Sequence, residues 1–107
     1  MSGFVSKRFN GPAALTGAAA TKYTCPANRT ARVRHIHVSN PSAAAADITI
    51  SIGADAAGTR LFDGFSVPAD SVYDHFGIYV LQAAEILQAF GSTALILTID
   101  GDEEVLS

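Results

Sequence analysis

An all-β fold, one antiparallel β-sandwich of jelly-roll-like type, is predicted by three features of this 107-residue sequence. Runs of about five to eight residues rich in Val, Ile, Thr, Phe and Tyr alternate apolar with polar positions. Short clusters of Pro, Asn, Asp and Gly separate these runs, as turns do. The length suits one core and leaves little room for a second domain. With 49 % apolar and only 16 % charged residues, the composition is that of a compact folded domain rather than a disordered chain.

The first twenty residues, "MSGFVSKRFNGPAALTGAAA", carry basic groups early and small residues after them. "PAALTGAAA" is short, Gly-broken and weakly apolar for a signal-peptide core, so residues 1–20 are expected to form an extended N-terminal arm. The β-sandwich is assigned to residues 21–100. "KYTCPANRT" reads as a strand end, a turn at Pro26 to Asn28, and re-entry. "RTARVRHIHVSN" is rich in β-branched residues and runs into "NPSAAAA", a turn opener followed by small residues. "DITISIG" alternates, with Ile48, Ile50 and Ile52 on one side and Asp47, Thr49 and Ser51 on the other.

Those two runs predict a hairpin that pairs Val38 with Ile48 and Ile36 with Ile50, because a one-residue slip would set His37 against Ile50. Arg34 then comes opposite Ile52, and His35 and His37 share the polar face with Ser39, Asp47, Thr49 and Ser51. "ADAAG" turns into "TRLFDGF", and "VPADS" turns into "VYDHFGIYVL", with Pro68 suited to the first central turn position. "VLQAAEILQAF" consists of good helix formers, and Val80, Ala84 and Leu87 share a helical face. A helix there competes with two strands joined at "QAAE", and the all-β surroundings favour the strands. "TALILTID" is the last strand, and residues 101–107, opening on "DGDEE", are expected to be a solvated acidic tail. No stretch is long and apolar enough to span a bilayer as a helix.

The formal charge of -3 conceals a polarised chain. Six of the seven basic residues precede residue 35, whereas all ten acidic residues lie at Asp47 or later. Such a chain can neutralise itself within one fold, pair with neighbouring copies, or dock on an acidic surface; the first is the simplest. Nucleic acid is a poor partner, since the basic residues are few, no aromatics alternate with them, and the pI is about 5.4.

"VRHIHVSN" sets His35 and His37 two apart, so that on a strand they project in parallel, a spacing that metal sites use. A stable site needs further ligands. In cupins, small β-barrels, His-x-His is followed within a few residues by Glu and later by another His. Here "VSNPSAAAAD" follows His37 without a Glu, the nearest carboxylate on the expected hairpin is Asp47, and His75 in "YDHFG" lacks the cupin spacing. No metal site and no cofactor are expected, and the two imidazoles are read as surface or interface residues of a strand.

Other chemistry is weaker still. Cys25 is the only cysteine, which precludes an intrachain disulfide and makes a reducing origin the default. No oxyanion-hole motif accompanies it, and a small, partly buried thiol is expected. Asp63, Asp70 and Asp74 are read as turn-capping residues. Paired carboxylates for acid/base work are not evident, "DGDEE" lacks the ligand spacing of a calcium loop, and phosphate-cradling Gly motifs are absent. A non-enzymatic protein is expected. Phe62, Phe65, Tyr73, Phe76 and Tyr79 fit a sugar-binding surface or, better, the core of a domain without Trp.

Taken together, "YTCPANRTARVRHIHVSNPSAAAADITISIG", "TRLFDGFSV" and "VLQAAEILQAF" resemble a group of small virion proteins of tailed bacteriophages. In that group a Tyr-x-x-Pro opening precedes a Thr-Ala-x-Val-x-x-Ile-x-Val-x-Asn strand, an Ile-rich strand and an Arg-x-Phe-Asp-Gly segment. The resemblance covers residues 23–99. Where such proteins often have a tight Ala-Gly turn between two strands, this chain has "VLQAAEILQAF" and no Gly. The resemblance implies a β-sandwich used as a virion part: a capsid decoration (cement) protein, or a neck or tail accessory or adhesion protein, assembled in the host bacterial cytoplasm. Its implied partners are identical copies, in a trimer or other symmetric oligomer, and capsid or tail proteins; neither nucleic acid nor membrane is expected. The candidate assembly contacts are Lys7, Arg8, Phe9, Lys22, Arg32, Arg34, His35 and His37, with the basic arm lying across a neighbouring acidic surface.

Overall fold

The computed structural model describes residues 3–105. Among these residues the chain forms eight strands, β1 (Phe4–Ala14), β2 (Ala20–Thr24), β3 (Arg29–Asn40), β4 (Ala46–Ile52), β5 (Arg60–Val67), β6 (Ser71–Leu81), β7 (Ile86–Gly91) and β8 (Ile96–Val105), with one 3-10 turn at Ala57–Thr59. They make two antiparallel sheets packed face to face, in the orders β1-β8-β3-β6 and β2-β7-β4-β5. β1 pairs with β8, β2 with β7, β3 with β6 and β4 with β5. A chain whose first strand meets its last, its second the next to last, and so inward, is a long double ribbon rolled once, which is the jelly-roll arrangement.

The core follows from alternation. Val33, Ile36 and Val38 of β3, Ile48 and Ile50 of β4, Leu87 of β7, and Leu97 and Ile99 of β8 are at most 1 % exposed. Each such side chain contributes about 1.5–3 kcal/mol relative to leaving it in water. Asn40, at the end of β3, is also buried and ties two turns together. Its Nδ2 donates to the carbonyls of Ala44, Val67 and Pro68, while its Oδ1 accepts from the Ser42 amide.

The predicted β3–β4 hairpin does not form. β3 lies between β8 and β6, and β4 lies between β5 and β7 in the opposite sheet. Ile36, Val38, Ile48 and Ile50 do all point inward, but they meet across the sandwich rather than along a ladder. A period of two fixes which face a residue takes, not which strand lies beside it. With the hairpin go the pairing of Arg34 with Ile52 and the shared face of the histidines with Asp47. Thr49 and Ser51 are covered by β5 and the β4–β5 connection, where Thr49 Oγ1 accepts from the Gly64 amide of mid-β5 and Ser51 donates to Asp55.

The arm and the tail need correction for the same reason. β1 pairs with β8 from Phe4↔Glu104 to Ala14↔Ile96, and Phe9 and Leu15 enter the core. Residues 101–105 complete β8, with Glu103 only 1 % exposed. Most of both segments is structural strand, with a bend at residues 15–19 between β1 and β2; residues 1, 2, 106 and 107 of those expectations lie outside the described residues. "VLQAAEILQAF" forms the end of β6, a turn and β7, as the all-β context required. Ala84 in that turn has φ of 69°, the left-handed region that the Gly of the resembled group would enter without a Cβ penalty.

β3 contains a bulge at Arg34. Val33 pairs with Gly101 while His35 pairs with the adjacent Asp100, so Arg34 is an extra residue against β8. The inward positions change from Ala31 and Val33 to Ile36, Val38 and Asn40, and His35 joins His37 on the outer face. Bulges commonly re-aim side chains in this way.

Candidate functional site

The sheet β1-β8-β3-β6 gathers the early cations around the late carboxylates, because β8 lies between β1 and β3. Arg8 pairs with Asp100 at 3.3 Å, Arg32 with Asp102 at 2.9 Å and Arg34 with the same carboxylate at 3.5 Å. Arg32 also stacks on Phe4, its guanidinium carbon 3.5 Å from the ring centroid. The polarity of the chain is thus neutralised to a large extent within one fold. In the other half, Arg60 binds Asp55 and Asp63. Its guanidinium holds the Asp55 carboxyl below the usual carboxylate range.

On the inner side of β8, Glu103 collects Tyr23 of β2, Arg29 of β3 and Lys7 of β1. Arg29 donates at 2.8 Å, Lys7 lies 3.4 Å away, and the Tyr23 hydroxyl donates to Oε2. Burial alone raises a carboxylate pKa, but here donation by Tyr23 and Arg29 and the charge of Lys7 outweigh it, so Glu103 titrates below its ordinary value. Burial and the neighbouring Glu103 push Tyr23 far upward. Cys25 beside them is 1 % exposed, and burial pushes its thiol up, which makes it a core residue rather than a nucleophile.

The outer face presents a different cluster. His37 pairs across the ladder with Asp74 of β6, and the bulge brings His35 to the same carboxylate. Asp74 Oδ1 lies 2.8 Å from His35 Nε2 and 2.6 Å from His37 Nδ1. These contacts, His37 first and then His35, hold Asp74 below the usual carboxylate range. His35 Nδ1 lies 3.8 Å from Asp100 Oδ2, and its ring stacks on Phe76 at 4.4 Å between centroids. The side chains of His35, His37 and Asp74 remain 28 %, 33 % and 38 % exposed. Asp74, read from sequence as a turn residue, is instead mid-strand and supplies the third group that the histidines lacked.

Beside this cluster, β6 turns Val72, Phe76, Ile78 and Val80 outward, each at least 50 % exposed, interrupted only by Asp74. β6 is an edge strand of eleven residues, and the opposite edge, β1, exposes Phe4 and Val5. Its inward residues behave otherwise. Tyr73 and Tyr79 pack against the core with Phe62 and Phe65, and His75 Nε2 lies 2.6 Å from the Tyr79 hydroxyl.

Of the sequence-derived assembly contacts, Arg32, Arg34, His35 and His37 lie on the outer face of this sheet, on β3. Lys7 and Arg8 are on β1 and paired to β8, Lys22 is half-buried on β2, and Phe9 is buried, its ring 4.2 Å from that of Tyr23. Phe9 is therefore withdrawn as a contact. Sequence reasoning missed Val72, Phe76, Ile78 and Val80 as a stripe, although their even spacing in "SVYDHFGIYVL" carries the signal. No protein-family model matches the chain, and no curated protein matches its sequence. Among the described residues no helix is long and apolar enough to cross a membrane.

Proposed function

We propose that this chain is a non-enzymatic structural protein of a tailed-phage virion, a capsid decoration (cement) protein that binds the lattice as a symmetric homo-oligomer. The observation that supports this reading is the outward apolar stripe of β6: Val72, Phe76, Ile78 and Val80 on a long edge strand paired on one side to β3. An exposed apolar edge strand is a liability in a monomer, which evolution usually blunts with charge, Pro or a short strand. It is an asset in a protein built to meet its own copies, and closed symmetric contacts are how such proteins keep assembly finite. The sequence resemblance to small phage virion proteins supplies the particle, and the jelly-roll sandwich suits a rigid part.

Copy number tests the reading. Quantitative mass spectrometry of purified virions should find hundreds of copies per particle, the order that repeated lattice sites require. A handful of copies would replace decoration with a neck or tail accessory role, and absence from the particle would refute the virion assignment.

A further inference from the structure

We propose that His35, His37 and Asp74 form a binding site for one divalent transition-metal ion of the Zn²⁺ class, with at least one coordination position left open. The three candidate ligand atoms lie within 4.8 Å of one another, on a rigid ladder rather than on loops. Zn–N and Zn–O bonds of about 2.1 Å place neighbouring ligand atoms of a tetrahedron about 3.4 Å apart. The observed contacts of 2.8 and 2.6 Å therefore need to open by less than about 1 Å, which a small rotation of the half-exposed Asp74 carboxylate supplies.

The donor set selects the class of ion. Two imidazoles and one carboxylate suit Zn²⁺, Ni²⁺, Co²⁺ or Cu²⁺, whereas Ca²⁺ and Mg²⁺ prefer oxygen alone. The surroundings fit as well. When His35 Nε2 carries the lone pair, the proton sits on Nδ1, which faces Asp100 Oδ2 at 3.8 Å, and Asp100 is itself held by Arg8. A carboxylate behind a ligating histidine is the usual means of fixing its tautomer and raising its basicity, and Asp100, beyond hydrogen-bond distance at 3.8 Å, acts on His35 through its charge. Phe76, stacked parallel on the His35 ring, restrains that ring from turning away. The Arg34 bulge that turns Ile36, Val38 and Asn40 into the core also puts both imidazoles on one outer face. Beside the cluster, sharing His35 with it, lies a groove lined by Arg34, His35, Phe76, Gly77 and Ile78. This inference stands apart from the virion assignment and needs none of it.

The test is titration of the full chain with ZnCl₂ by calorimetry, followed by metal analysis after desalting. One Zn²⁺ per chain is expected, with affinity reduced at least tenfold by Asp74→Asn and by His37→Ala. Asp100→Asn, a change in a positioning residue, is expected to weaken binding about tenfold while the stoichiometry stays at one. Far-UV circular dichroism of each variant confirms the fold, and His75→Gln, which alters the other histidine, should bind as the parent does. No saturable Zn²⁺ binding by the parent would overturn the proposal, and so would binding that survives both Asp74→Asn and His37→Ala.

Discussion

Glu103 and Asp74 are carboxylates of the same sheet that each gather positively polarised partners, yet one is sealed and the other open. Glu103 faces inward at 1 % exposure and is satisfied by Tyr23, Arg29 and Lys7, drawn from three other strands. Asp74 faces outward, and its two imidazole partners are themselves partly in water. A buried charge cannot lose its partners cheaply, so Glu103 fastens β1, β2 and β3 to β8. An exposed charge can exchange a hydrogen bond for water or for an ion at little cost, which leaves Asp74 free for a ligand.

That difference predicts unequal responses to mutation. Glu103→Ala should cost about 3 kcal/mol, because the buried Tyr23 hydroxyl loses its acceptor and the partly exposed Arg29 and Lys7 lose their common partner. Asp74→Ala should leave stability nearly unchanged, as surface substitutions commonly do. Equal losses in urea unfolding would erase the distinction. Tyr23→Phe should cost about 1.5–3 kcal/mol by removing one donor to a buried charge.

Acid should separate the two sites as well. Glu103 is depressed in the folded state, so its stabilising contribution is complete above the ordinary carboxylate pKa of about 4.3 and is lost as the pH falls through the lower folded value. Glu103→Gln should therefore flatten the loss of stability below about pH 4.3. Asp74 is shifted in the same direction, but its exposure screens the effect, and Asp74→Asn should leave that slope nearly intact. Unfolding curves taken across pH 2 to 6 for both variants would reveal a reversal. A backbone change acts in the opposite direction: Ala84→Gly should stabilise by about 1 kcal/mol, since the turn holds Ala84 at a φ of 69°.

Faces were legible in the sequence and neighbours were not. Alternation placed Ile36, Val38, Ile48 and Ile50 inward, and Pro, Asn and Asp marked the turns around Asn28, Asn40 and Pro68. The pairing of β3 with β6 and β8 depends on long-range closure of the roll, for which local pattern carries no code. For that reason Asp74, 37 residues from His37, escaped notice as its partner. The bulge was visible in principle, because the apolar phase of "ARVRHIHVSN" shifts between Val33 and Ile36. Residues 1–20 were misread because Phe9 and Leu15 stand alone among small and charged neighbours, too sparse to signal a strand. "DGDEE" was misread because a buried carboxylate looks like a solvated one until its partners are placed.

The proposal that this protein meets its own copies through the outer face of the β1-β8-β3-β6 sheet is tested most directly by the mass of the full chain in solution, measured by sedimentation equilibrium. The parent should be a discrete symmetric oligomer, and Phe76→Asp with Ile78→Asp should convert it to a folded monomer of unchanged circular dichroism. A parent that stays monomeric at every concentration, or an oligomer indifferent to both substitutions, would contradict the assignment of β6 as the assembly strand.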